Sequence, residues 1–140
     1  MSERSLIRDA DRRISKAKRE GAVELDLSGL ELRNLPYALH QLTQLQSLNL
    51  SNNRLTTLLN SLGRLTQLHS LDLHNNRLTA LPHFLGRLTQ LHSLDLRNNA
   101  LNDPPPEVIE QGTEAVLAYL RAAAENRPSP SKGLIRTHNS

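Results

Sequence analysis

Cysteine and tryptophan are absent from this 140-residue chain, and aromatic residues make up only 2% of it, one phenylalanine and two tyrosines. Without cysteine there is neither a disulfide framework nor a thiolate metal site, which points to a reducing compartment and to a cytoplasmic protein. With so few aromatics there is no stacking platform for single-stranded nucleic acid. The usual core, mixing aromatic, branched and small side chains, is out of reach too. No stretch approaches the roughly 20 apolar residues that a membrane-spanning helix needs. The opening MSERSLIRDADRRISK is charged throughout and has no apolar centre, so it reads as neither signal peptide nor membrane anchor. The net charge of +3 is local: residues 1–21 hold seven basic against four acidic side chains, and the remainder holds ten of each. A basic helix face with interspersed acids reads as a solvated surface, giving no nucleic-acid and no membrane partner.

What the chain has in abundance is leucine, in a repeating order. LGRLTQLHSLDL occupies residues 62–73 and recurs letter for letter at 85–96, a period of 23 residues. Units aligned on that period begin at Ala22, Leu45, Leu68 and Leu91. Leu25, Leu48, Leu71 and Leu94 fall in one column, and Leu27, Leu50, Leu73 and Leu96 two residues on, the spacing of a strand with one buried face. Asn53, Asn76 and Asn99 share a later column that holds Leu30 in the first unit. Apolar spacing then widens to three at Leu39/Leu42, Leu62/Leu65 and Leu85/Leu88. Each unit is therefore expected to be a short strand, a turn and a turn of helix. A lone strand cannot bury its leucines, but strands stacked about 4.8 Å apart hydrogen-bond on both sides and merge the leucines into one column. The asparagines stand where the chain leaves the sheet, and their amides can satisfy turn backbone groups.

The pattern L-x-x-L-x-L-x-x-N-x-L, complete in three units and degenerate in the first, resembles that of leucine-rich repeat proteins over residues 22–111. The fold implied is an α/β solenoid, with parallel strands on the concave face, helical or 3₁₀ turns on the convex face, and caps at both ends. Residues 1–21 form the N-terminal cap, with Leu6, Ile7, Ala10, Ile14 and Ala17 in one helical sector. Residues 112–125 form the other, with Thr113 as helix N-cap and Val116, Leu117, Leu120 and Ala124 as the apolar stripe. Residues 126–140 read as a disordered tail. The flanking segments GAVELDLSGLELRNLP and NNALNDPPPEVIEQGTEAVLAYLRAA are similar to the ends of repeat arrays in Roco-family GTPases, which implies a regulatory array. The G-x-x-x-x-G-K-[ST] loop of such a GTPase is absent here, where Lys132-Gly133 is followed by a short tail.

Residues alternating with the strand leucines should line the concave face: Glu24, Ser47, Ser70 and Ser93; then Asp26, Asn49, Asp72 and Asp95; then Ser28, Ser51, His74 and Arg97, with His69 and His92 on the rim. The candidate partner-binding set is Glu24, Asp26, Ser47, Asn49, His69, Ser70, Asp72, His74, His92, Ser93, Asp95 and Arg97. Ser70, Asp72 and His74 have the composition of a catalytic triad. Same-face strand neighbours are about 6.5–7 Å apart, however, which puts them out of mutual reach, and no nucleophile elbow or oxyanion hole accompanies them. The chain is expected to be no enzyme. His69 and His92 could trap an adventitious zinc or nickel ion beside Asp72 and Asp95, but duplication explains the pair, and neither metal nor cofactor is expected. Phe84 beside Leu59, with Tyr37 in the corresponding segment, offers a second contact surface if exposed, although scattered exposed apolar residues are ordinary. The expected role is a monomeric, non-catalytic module that binds a protein or peptide on its polar, partly acidic strip. A duplicated or engineered array with no evolved partner is the other reading.

Overall fold

A computed structural model describes residues 3–126. Helix α1 (Glu3–Glu20) leads into four three-residue strands: β1 (Glu24–Asp26), β2 (Ser47–Asn49), β3 (Ser70–Asp72) and β4 (Ser93–Asp95). Helices α2 (Pro106–Ile109) and α3 (Thr113–Asn126) close the order. Asn126 thus ends a helix, and the remainder of the segment read as a tail lies outside the described residues. The strands form one parallel sheet in the order β1-β2-β3-β4. Register is kept throughout: Leu25 pairs with Leu48, Leu48 with Leu71, and Leu71 with Leu94. Adjacent strands are offset by one repeat, so each leucine lands beside its counterpart and the column closes without a gap.

Three 3₁₀ turns, Tyr37–Gln41, Asn60–Arg64 and His83–Arg87, form the convex side. Each follows an extended residue, Pro36, Leu59 or Pro82. Three residues per turn bring residues i and i+3 to the same side. Leu39/Leu42, Leu62/Leu65 and Leu85/Leu88 accordingly point inward together, with exposures between 0% and 2%.

The paired asparagines divide their work. The first of each pair, Asn52, Asn75 or Asn98, sits at φ 56–59°, as does Gly29 at 69° in the first unit. This left-handed bend is open to glycine and tolerated by asparagine. The second ties neighbouring units together. Asn76 Oδ1 accepts the Leu55 amide at 3.0 Å, while Nδ2 donates to Leu50 O at 2.9 Å and Leu73 O at 3.0 Å. Asn53 bonds Leu30, Leu32, Leu27 and Leu50 in the same manner, and Asn99 bonds Leu78, Leu73 and Leu96. At least half of each asparagine's partners belong to the preceding unit. The first unit is preceded by α1, with no turn of that kind to bond, and places the buried Leu30 there instead.

Both ends are covered by helices, with some differences from expectation. In α1, Leu6, Ala10, Ile14 and Ala17 are buried, but Ile7, at the margin of the apolar sector, is 46% exposed. Arg13 donates to Asp26 O at 2.8 Å and pins the helix to β1. In α3, Val116, Leu117 and Leu120 are buried, while Ala124, one turn beyond the reach of the repeats, is exposed. Thr113 does not cap the helix with its hydroxyl. The first intrahelical bond runs from Val116 N to Gly112 O, and Thr113 Oγ1 turns to the sheet and accepts the Leu94 amide at 3.2 Å. Phe84 is buried rather than exposed, its ring seated close over Gly63. Gly86 lies against the α3 backbone, where an added Cβ would come within 2.9 Å of Arg121 N, and Arg121 Nε donates to Gly86 O at 3.1 Å.

Candidate functional site: the polar strip of the sheet

The strands carry alternate residues to the open side of the sheet, so the candidate positions form rows across it. Glu24, Ser47, Ser70 and Ser93 are successive partners, as are Asp26, Asn49, Asp72 and Asp95. All twelve candidates are exposed or half-buried. Ser51, in the third column, is instead buried at 2% exposure, its hydroxyl donating to Asn49 Oδ1 at 2.6 Å.

The Asp/Asn row does more than offer a surface. In each unit its side-chain oxygen accepts the amide two residues on: Asp26 from Ser28 at 2.9 Å, Asn49 from Ser51 at 2.9 Å, Asp72 from His74 at 3.1 Å and Asp95 from Arg97 at 3.2 Å. This is an Asx turn, and it bends the chain out of the strand after three residues. The bend also brings the third column back over the second. His74 Nδ1 lies 2.6 Å from Asp72 Oδ1, so residues two apart do meet, contrary to the expectation from flat strand geometry. His74 has already left the strand. Ser70 takes no part in that pair, so the triad composition does not become a relay.

Four side chains from two units converge here. His74 Nδ1 is 2.6 Å from Asp72 Oδ1 and 3.9 Å from Asp95 Oδ2, and Arg97 grips Asp95 through Nε at 2.9 Å and a terminal nitrogen at 2.6 Å. The Arg97 side chain, followed by its amide, holds the Asp95 carboxyl below its ordinary value against partial burial, with His74 helping. Arg97 is raised in return. At the other end of the row, the Ser28 hydroxyl and amide, with Arg13 nearby, hold Asp26 below its ordinary value. Glu24 and Asp26 lie two strands or more from the Asp72–Arg97 group and do not join it.

The two rim histidines do stack as neighbours, with centroids 5.6 Å apart and planes within 6°. His69 Nε2 is engaged by Gln90 Oε1 at 3.0 Å. The side chains with ligand spacing are different ones: Asp72, His74 and Asp95 each bring one ligand atom within 4.8 Å of the others. The metal-like geometry thus lies between the second and third columns, where Arg97 competes for the Asp95 carboxylate. What sequence reasoning missed was that a long residue two places after the row's carboxylate can fold back onto it, a signal present in the Asp-x-His and Asp-x-Arg spacing.

A hollow of about 780 Å³ lies on the convex side between the His83–Arg87 turn and α3, lined by His83, Arg87, Arg121 and Glu125 among others. Of the apolar surface residues considered beforehand, Tyr37 is 69% and Leu59 37% exposed, and Phe84 is not available. Among the described residues, no helix is long and apolar enough to cross a membrane.

Sheet, turns and asparagine ladder together define a leucine-rich repeat solenoid. Models of the leucine-rich repeat match residues 44–65 and, as two copies, residues 66–106. Among solved structures, the leucine-rich repeat domain of the type III effector XopL is similar at 26% identity and a TM-score of 0.62, over 67% of this chain and 32% of that one. A Leptospira interrogans leucine-rich repeat protein is 34% identical with a TM-score of 0.48, over 61% of this chain and 28% of that one. The chain therefore spans about a third of the length of these solved chains. No curated protein resembles it closely enough to count as a match. Residues 44–106 carry the repeats of that family, and domains of this kind commonly mediate protein–protein interaction and are typically non-catalytic.

Proposed function

We propose that this chain is a non-catalytic binding module that receives a protein or peptide on the concave strip, centred on Asp72, His74, Asp95 and Arg97. The observation that carries this is the in-register alignment of polar side chains from four strands on one open face, held in place before any partner arrives. A preformed surface spares a binding partner the cost of ordering it. Asp72 and Asp95 keep accepting lone pairs beyond their turn bonds, so a basic or hydrogen-bonding segment is the chemistry that fits. The alternative, resting on the likeness of its flanks to Roco arrays, is a regulatory repeat fragment of a Roco-like GTPase, and reading the gene beyond Ser140 for a P-loop tests it.

The binding reading is tested by cross-linking and capture with the wild type against an Asp72→Lys, Asp95→Lys double variant. Proteins captured by the first and lost by the second support it. Identical recovery from both, with the variant shown to be folded, sinks the concave site.

A further inference from the structure

The hydrogen-bond ladder joining the four strands reaches β4 and stops unclosed. In each earlier unit the amide just past the strand donates to the next strand: Leu27 to Asn49 O, Leu50 to Asp72 O and Leu73 to Asp95 O, all at 2.8 Å. Two residues further, Gly29, Asn52 and Asn75 donate to Ser51, His74 and Arg97 O at 3.1, 3.0 and 2.9 Å. Before the strand, the carbonyls of Val23, Gln46 and His69 each accept two amides from the following unit. The counterparts in the last unit are the Leu96 and Asn98 amides and the His92 carbonyl, and none of them is hydrogen-bonded among the described residues. Thr113 Oγ1 supplies one substitute, at the Leu94 amide.

Beside this edge runs a groove of about 470 Å³, with His92–Arg97 as one wall and Ile109, Gly112, Thr113 and Val116 as the other. Its floor is apolar. Leu94 is only half-buried, whereas Leu48 and Leu71 in the same column are 1% and 0% exposed. The leucine column and the ladder are thus left open at the same place.

We propose that this groove binds an extended peptide segment of a partner protein, which adds to β4 as a fifth parallel strand. Free donors two residues apart on one line, about 6.5–7 Å, match the carbonyls of residues i and i+2 in an extended chain. A helix, whose carbonyls are bonded internally, cannot meet them. The pleat also sets side-chain chemistry: the residue turned into the groove is apolar, against Leu94, Leu96 and Val116. Its outward neighbours are basic beside Asp95 and acidic beside Arg97. The site shares Asp95 and Arg97 with the concave strip and differs from it in using the open backbone edge of β4 and the wall formed by Ile109 and Val116.

The test uses a fluorescein-labelled peptide copying residues 91–99 but carrying Asp95→Lys and Arg97→Glu, against a scrambled control, with amide exchange followed residue by residue. Binding slows exchange at Leu96 and Asn98. Ile109→Lys, which fills the groove from a half-exposed position, weakens binding about tenfold, or 1.4 kcal/mol. Thr43→Lys, exposed beyond the first convex turn, leaves it unchanged. Ile109→Lys also leaves concave capture intact, so either site can fail alone. The proposal is overturned if neither amide slows, if the scrambled peptide binds equally, or if both amides become protected without peptide as protein concentration rises, which would make a second copy the occupant.

Discussion

The two ends of the array solve one problem differently. At the amino end α1 lies over the first unit, Arg13 bonds the β1 backbone, and Leu25 and Leu27 are 9% and 0% exposed. At the carboxyl end α3 packs on the convex turn through Gly86 and Arg121 and hydrogen-bonds the sheet edge through Thr113, and Leu94 stays half in solvent. A cap placed on the sheet side seals both the leucine column and its hydrogen bonds, and one placed on the convex side seals only the turns. The carboxyl end is consequently expected to be the softer one.

The largest effect should come from the leucines. Leu71→Ala, in a fully buried site, should cost about 2–5 kcal/mol, whereas Leu94→Ala should cost about 1 kcal/mol because water already reaches it. Urea unfolding of both variants checks the difference, and equal losses would mean that the carboxyl end is sealed after all. Next comes the asparagine ladder. Asn76→Ala strands the Leu55 amide and two carbonyls and should cost about 2–4 kcal/mol, with Asn99→Ala clearly less since its site is partly open. Gly86→Ala should cost about 1–3 kcal/mol by pushing its Cβ into the Arg121 backbone, and should speed amide exchange in α3 while leaving α1 unchanged. Gly63→Ala, which meets only the movable Phe84 ring at 3.1 Å, should cost less.

The smallest effect distinguishes the two ends by charge. Asp26 and Asp95 have carboxyls held below their ordinary value of 3.8, so each contributes stability that is fully present above that value and lost as pH falls below it through the lowered folded-state value. Asp95 depends chiefly on the exposed Arg97 cation, which salt screens, and Asp26 chiefly on Ser28, which is neutral. Adding salt should therefore flatten the acid sensitivity removed by Asp95→Asn and leave that removed by Asp26→Asn. Unfolding curves at pH 3–5 in low and high salt measure both.

Much of this architecture was legible in the letters. Period two in the leucines, period 23 between units and the recurrent asparagine sufficed for strands, register and ladder, because each rests on local spacing multiplied by exact repetition. Spacing of three likewise anticipated the inward leucine pairs of the 3₁₀ turns. The polar strip was legible as rows but not as contacts. The distance between Asp72 and His74 depends on where the strand ends, and the Asx turn that ends it is made by the same carboxylate that defines the row.

By itself, then, the sequence determined that identical units stack with their leucines inward and their polar residues outward, since no other arrangement buries that periodicity. Only tertiary structure decided which groups at the ends met partners. Thr113 turned its hydroxyl to the sheet, Phe84 packed against the preceding turn at Gly63, and Leu94 kept half its surface. Each outcome depends on which side of the array a helix lands on, and a helix with one apolar stripe carries no mark saying whether sheet or turns will receive it.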